Sequence, residues 1–161
     1  MKQTIRKGVF ETNSSSVHTL TICKDSNRSY PQSLYLYSMD FGWEEHDYTD
    51  AAIKASYIYT YLKNCVNDDS RLDLFIQTLR DAGVNVNVEE DDGIIDREWH
   101  CIDHYEDLSD FMDAIFSDKE LLLDFIFNPN SELVTGNDNC CDMDYLKREA
   151  SDNLLVFEKG N

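Results

Sequence analysis

The chain has 161 residues, a formal net charge of −18 and a hydrophobic content of 42%. This length predicts one domain, and the content of hydrophobic residues excludes a disordered chain. The acidic sequence pI near 4.3 argues against direct binding to nucleic acid or to an anionic membrane, and it favours a basic protein as partner.

Targeting signals and cysteines indicate the compartment. No apolar run approaches the roughly 20 residues of a membrane span, and the first residues lack the apolar region of a secretory signal. The five cysteines are odd in number and form no CxxC pair, which argues against a framework of disulfides. We therefore expect a reducing, cytosolic setting in which Cys23 and Cys65 are small core residues.

The N-terminal part of the chain predicts strands. Residues 4–11 and 17–23 predict a β-hairpin, since the second segment alternates between two faces and the hydroxyl-rich turn 12–16 joins the two. Residues 34–38 predict a third strand. Residues 39–45 predict an irregular loop that is rich in aromatic and acidic side chains.

A long helix is predicted next. Asp47 or Thr49 caps its start, and the helical pattern continues to about Val66. Tyr57 and Tyr61 lie four residues apart on one face of this helix. They form either an exposed interface patch or the edge of the core.

A second helix and a short strand follow. Asp69 or Ser70 opens this helix, and Gly83 ends it because glycine readily adopts the left-handed conformation after a helix. Residues 84–88 alternate valine with asparagine, which predicts a strand with one buried face.

The most acidic part of the chain is residues 89–118, which contain twelve Asp or Glu and one base, Arg97. Apolar residues at helical spacing predict an amphipathic helix there, namely Leu108, Phe111, Met112, Ile115 and Phe116. Three carboxylates share another face of that helix: Glu106, Asp110 and Asp113.

The C-terminal part predicts a buried helix and further short elements. Ser117 and Glu120 form a capping box for a helix over residues 121–127, which Pro129 ends. The remaining elements are predicted as strand 132–135, turn 136–139, helix 143–150 and strand 153–158. Because strands and helices mix without βαβ alternation, the predicted fold is one α+β domain over residues 1–161. We expect a mixed or antiparallel sheet, the N-terminal hairpin and about four helices.

The run RKGVFETNSSSVHTL, Arg6–Leu20, resembles the opening of a family of small phage and prophage proteins that begin R-x-G-V-F-E-T-N-S-S-S-x-H. Residues 102–104 and 135–139 are similar to shorter pieces of the same family. The resemblance covers about a fifth of the chain. It implies a phage origin, and with it the host cell cytoplasm, but no activity and no catalytic residues.

Two histidines four residues apart indicate a candidate zinc site. His100 and His104 share one face if their segment is helical, and imidazole is a common zinc ligand. A zincin motif has Glu at the position of Cys101, so the base of that chemistry is missing. Further ligands would have to come from His46, Cys140 or Cys141. The alternative is two polar histidines beside carboxylates.

Two other patterns contain residue types that carry chemistry. Ser16 and His18 point the same way in a strand, as a nucleophile and its base would, but no G-x-S-x-G elbow is present. The turn 137–144 offers oxygen ligands for calcium, although its spacing is not that of an EF-hand. Hydroxyl-rich and Asn-rich turns are otherwise explained by capping of the backbone.

The acidic segment supports the functional hypothesis. We expect a phage-encoded, anti-CRISPR-like inhibitor that mimics nucleic acid and blocks a basic host protein, such as a CRISPR effector, a restriction enzyme or another nuclease. We expect no catalytic residue, metal or cofactor. The alternatives are a small metal-dependent or hydrolytic phage enzyme, and a phage structural or assembly protein whose acidity keeps it soluble. The residues expected to bind the partner are Glu89, Glu90, Asp91, Asp92, Glu106, Asp110 and Asp113.

Overall fold

Strands and helices of the protein are seen in a computed structural model, which describes residues 16–90, 100–137 and 152–159. The strands are β1 (Ser16–Cys23), β2 (Ser33–Leu36), β3 (His46–Tyr48), β4 (Asn85–Val88), β5 (Glu132–Asn137) and β6 (Leu154–Lys159). The α-helices are α1 (Ala51–Thr60), α2 (Asp69–Asp81), α3 (Ser109–Ser117) and α4 (Lys119–Phe127). A π-helical turn (Tyr61–Cys65) extends α1, and a 3-10 turn (Tyr105–Leu108) precedes α3. The predicted single-domain α+β fold is confirmed.

Strand β1 lies inside a four-stranded antiparallel sheet with the order β3-β5-β1-β6. Along residues 18–21, β1 pairs with β5 on one edge and with β6 on the other. These residues therefore leave no open edge for a hairpin partner. The predicted first hairpin strand, residues 4–11, lies outside the described residues. Strand β5 also extends to Asn137, so the turn predicted from Gly136 does not begin there.

A second, two-stranded sheet pairs β2 with β4 in parallel. Its buried residues are the alternating ones, Leu34, Leu36 and Val86. The preceding helix α2 has Asp68 as its N-cap, because that side chain accepts a hydrogen bond from Arg71 N. Helix α2 therefore begins at Asp69, as predicted. Gly83, with φ of +88°, confirms the predicted helix end.

Helix α1 is buried on nearly all sides. Its N-cap is Asp50, which accepts hydrogen bonds from the amides of the first turn, so the caps predicted at Asp47 and Thr49 are wrong. Asp47 belongs to β3. Tyr57 has no exposed surface and Tyr61 is 7% exposed. The two tyrosines are thus core residues and not an exposed interface patch.

Helix α3 has the predicted amphipathic pattern. Leu108, Phe111, Met112 and Ile115 are buried, and the Phe111 ring packs against the Phe125 ring of α4 with centroids 5.0 Å apart. The polar face of α3 remains exposed. The helical spacing of apolar residues therefore predicted the buried face correctly.

The junction between α3 and α4 differs from the predicted capping box. Asp118 is the N-cap of α4, and its side chain accepts a hydrogen bond from Glu120 N. The Ser117 hydroxyl instead donates to the carbonyl of Ala114, one turn back in α3. Helix α4 ends at Phe127, before Pro129, as predicted. The predicted helix 143–150 lies outside the described residues.

Candidate functional site: an acidic and aromatic groove around Asp40

Glu89 is part of the internal structure of the protein. Its carboxylate accepts hydrogen bonds from the amide and the hydroxyl of Ser38, at 2.9 and 2.6 Å, and lies 3.1 Å from Lys63 Nζ. Burial raises the pKa of Glu89, but the Ser38 hydrogen bonds and Lys63 together lower it below its ordinary value. Glu90 is exposed. Asp91 and Asp92 lie outside the described residues.

The other predicted partner-binding carboxylates are exposed but lie on two elements. Glu106 is in the 3-10 turn, whereas Asp110 and Asp113 are in α3. Asp113 forms an exposed ion pair with Arg71 of α2, at 2.8 Å. The three therefore do not form one stripe on a single α-helix, although all of them face solvent.

Two adjoining cavities share Asp40. One, of about 470 Å³, opens towards the residues before α3, and the other, of about 230 Å³, opens towards the loop before β3. We call the pair the Asp40 groove. Its carboxylates are Asp40, Glu44, Asp103 and Glu106, and its aromatic residues include Trp43, Tyr48 and Tyr105. Neither Lys nor Arg is among the described residues that line it.

Backbone pairing holds the two walls of the groove together. Phe41 N donates to the carbonyl of Cys101, and Asp103 N donates to the carbonyl of Phe41, both at 3.2 Å. The Phe41 ring packs edge-on against Tyr57 of α1 with centroids 4.8 Å apart. Because Phe41 is buried, the backbone at the neighbouring Asp40 is held in place by the core.

Side chains of strand β1 form hydrogen bonds to both walls of the groove. The two ring nitrogens of buried His18 lie 2.9 Å from the Tyr57 hydroxyl and 2.9 Å from the carbonyl of Gly42. The hydroxyl of Ser16 donates to the carbonyl of Asp103 at 3.4 Å. Both side chains of the considered nucleophile and base pair are thus engaged in positioning the groove. No hydrogen bond between the two side chains is among the contacts that the structure describes for them.

Strand β5 fixes the loop that carries the exposed indole. The hydroxyl of Thr135 donates to the carbonyl of Glu44 at 2.7 Å, and the Asn137 amide donates to the carbonyl of Trp43 at 3.0 Å. The Trp43 side chain itself is 58% exposed. A large apolar surface is therefore presented to solvent on a loop whose backbone is held at several points.

The charges in the groove repel one another. Burial raises the pKa of Asp40, His100 lowers it, and the nearby carboxylates of Asp103 and Glu44 each raise it by a smaller amount. A cation placed in the groove would relieve this repulsion, because it favours the ionised form of each carboxylate. The arrangement is therefore chemically suited to bind a basic group.

The predicted zinc face is not formed by the two histidines. His100 lies in a bend, and His104 has a φ of +52° before the 3-10 turn, so no helix places both rings on one face. Within the described ranges, no group of three or more His, Cys, Asp or Glu side chains is arranged to hold a metal ion. Of the considered calcium turn, only Asn137 is described, together with the end of β5. None of the described helices has the length and apolar character needed to cross a membrane.

The chain matches no protein-family model, no curated protein and no solved structure. Its functional interpretation therefore depends on the Asp40 groove itself. Sequence reasoning missed Asp40, Glu44 and Trp43 as site residues, although it marked residues 39–45 as an aromatic and acidic loop. The aromatic and acidic composition of residues 39–45 was the feature of the sequence that could have identified this loop as part of the site. The contact between this loop and Asp103 depends on the tertiary structure.

Proposed function

We propose that the protein is an inhibitor that binds a basic, nucleic-acid-binding host protein and occupies the surface where phosphates would bind. The observation that supports this proposal is the Asp40 groove, in which clustered carboxylates lie beside the exposed indole of Trp43. The resemblance of residues 6–20 to phage proteins supports a phage origin. CRISPR effectors, restriction enzymes and other nucleases are the target classes that such an inhibitor would block.

The groove offers what an arginine or lysine side chain of the partner requires. A guanidinium group pairs with carboxylates through two parallel hydrogen bonds and stacks on an aromatic face. Asp40, Asp103 and Glu44 supply the carboxylates, and Trp43 supplies the exposed ring. A guanidinium placed there would offset the repulsion between Asp40 and the neighbouring carboxylates.

The net charge acts at longer range. A formal charge of −18 attracts a basic partner before contact and accelerates association. Glu106 and Asp110 are exposed and extend the negative surface along the 3-10 turn and α3. The groove would then determine the orientation of the complex, while the surrounding charge would determine the association rate.

The test compares three variants that change the net charge equally. The groove variant is Asp40→Asn, Glu44→Gln and Asp103→Asn; the helix variant is Asp107→Asn, Asp110→Asn and Asp113→Asn, which are exposed and line neither cavity. The control variant neutralises three exposed carboxylates that line neither cavity, namely Asp73→Asn, Asp81→Asn and Asp152→Asn. Each is used to capture partners from host lysate at low and high salt, and captured proteins are then purified for competition with nucleic acid.

We expect the wild type to compete with nucleic acid for a captured basic protein, and the complex to weaken as salt rises because exposed charge pairs are screened. The groove variant should lose affinity by roughly tenfold or more, through faster dissociation as well as slower association. The helix variant should mainly associate more slowly, and the control variant should bind almost normally. Equal losses in all three would mean that only bulk charge matters. No loss in any of them would contradict the proposal and favour an assembly protein.

A further inference from the structure

Two thiols meet where helix α1 reaches the wall of the Asp40 groove. The sulfur atoms of Cys65 and Cys101 lie 2.7 Å apart. Cys65 ends the π-helical turn after α1, and Cys101 lies in the segment that pairs with Phe41. The two positions are 36 residues apart in the sequence, so only the fold brings these thiols together.

Hydrogen bonds on both sides hold the two backbones beside each other. The side-chain amide of Asn64 donates to the carbonyl of His100 at 2.6 Å. The amide of Ile102 donates to the sulfur of Cys65 at 3.4 Å. A disulfide requires a sulfur–sulfur distance of about 2.05 Å, so an approach of about 0.65 Å would complete the bond from the present distance.

We propose that Cys65 and Cys101 form a reversible disulfide, with a low-molecular-weight disulfide such as oxidised glutathione as the oxidant. The sequence argues against a structural framework of disulfides, and this proposal is consistent with that, because single disulfides in reducing compartments are usually transient or redox-sensing. The proposal concerns the state of the thiol pair and does not depend on the proposed inhibitor function.

The surroundings of the two thiols suggest the order of the steps. Cys101 lines the larger cavity of the Asp40 groove, where a small oxidant can reach it. Cys65 is partly enclosed; burial raises its pKa, and the hydrogen bond with Cys101 raises it further. Since the thiolate is the attacking species, Cys101 is suited to react first and Cys65 to resolve the intermediate.

The exchange balances in two steps. The thiolate of Cys101 attacks one sulfur of oxidised glutathione, forming a protein–glutathione disulfide and releasing one glutathione thiolate. The thiolate of Cys65 then attacks the sulfur of Cys101 and releases the second glutathione. The two protein thiols are oxidised, the glutathione disulfide is reduced to two thiols, and the two protons pass from the protein thiols to glutathione.

The experiment uses the full-length chain under native conditions. The protein is incubated with oxidised glutathione, the exchange is stopped with acid, free thiols are then alkylated with a maleimide near neutral pH, and peptides are mapped by mass spectrometry. Trypsin cuts after Lys63, Arg71, Arg97 and Lys119, which places the two cysteines in separate peptides, 64–71 and 98–119. A second protein retains only the pair, since it carries Cys23→Ser, Cys140→Ser and Cys141→Ser.

We expect both proteins to yield the linked peptides 64–71 and 98–119, and a thiol reductant to separate them. Oxidation should raise the melting temperature by roughly 5–15 °C, because the bond restricts the unfolded chain. In the pair-only protein, Cys65→Ser should instead trap one glutathione on Cys101, without a rise in melting temperature. The mapping of the wild type decides the question even if that variant folds poorly. Linkage that appears only in denaturant, or glutathione adducts without the linked peptides, would overturn the proposal.

Discussion

Helices α1 and α3 differ in how much of their surface is buried. Helix α3 buries one apolar face and exposes the other side, as a surface helix does. Helix α1 is buried at seven successive residues from Lys54 to Thr60, including three polar side chains. Apolar periodicity is therefore sufficient to predict the buried face of a surface helix such as α3. The burial of a helix inside the core, such as α1, also depends on hydrogen-bond partners for its polar groups.

The polar groups of α1 bond to segments that the helix packs against. Lys54 Nζ donates to the carbonyls of Asn128 and Ser131, at 3.0 and 2.7 Å. The hydroxyl of Thr60 donates to the carbonyl of Ser56 and accepts from the amide of Met39. Such bonds connect α1 to the end of α4 and to the chain after β2, so a buried polar group here specifies which segments meet.

The largest effect is expected from the apolar face of α3. Phe111 is 1% exposed and packs against Phe125 and Phe157, so Phe111→Ala should lower the free energy of unfolding by about 3–5 kcal/mol. The matched control is Phe116→Ala on the same helix, because that ring is only half-buried and should cost clearly less. Urea titration of both variants measures the difference. A loss under about 1 kcal/mol for Phe111→Ala would mean that α3 does not anchor the core.

A smaller effect is expected from the buried Lys54 of α1, as a dependence of the free energy of unfolding on pH. Burial lowers the pKa of Lys54 to about 8, whereas an unfolded lysine titrates near 10.4. The unfolded state therefore binds more protons between these pH values. The contribution of Lys54 to the free energy of unfolding should rise by about 2–3 kcal/mol as pH increases through that window. Burial raises the pKa of Tyr57, so stability should fall again at higher pH, where the unfolded state loses that proton first.

The measurement is the difference in unfolding free energy between the wild type and Lys54→Met, taken from about pH 8 to about pH 10. The difference should grow in favour of the wild type as pH rises. Lys24→Met replaces an exposed lysine and serves as the control, which should run parallel to the wild type. A parallel course for Lys54→Met as well would show that the amine is not desolvated in the folded protein.

The smallest effect concerns the N-terminus of α4. Asp118→Ala removes the side chain that accepts the amide of Glu120, and it should cost about 1 kcal/mol. Ser117→Ala removes a hydroxyl that bonds back into α3 and should change stability by a few tenths of a kcal/mol at most. Thermal unfolding of the two variants distinguishes the observed cap from the capping box predicted at Ser117. A larger loss for Ser117→Ala would reverse the assignment.

The candidate site was only partly predictable from the sequence. The exposed carboxylates at Glu106, Asp110 and Asp113 were found because charge at helical spacing opposite an apolar face indicates a solvent-facing surface. Glu89 appeared equivalent to them in the sequence, yet it is bound by Ser38 and Lys63. No local pattern distinguishes the exposed carboxylates from Glu89, because the partners of Glu89 come from the chain after β2 and from the π-helical turn after α1.

The sequence by itself determined the α+β class, the limits of α2 and the buried face of α3. These features depend on residue spacing and on a glycine with positive φ, both of which act within a few neighbouring residues. The tertiary structure alone decided that Asp40 lies beside Asp103, that His18 supports the loop at Gly42, and that the thiols of Cys65 and Cys101 meet. The reason is physical: contacts between distant segments form only when the whole core packs, and local spacing carries no information about them.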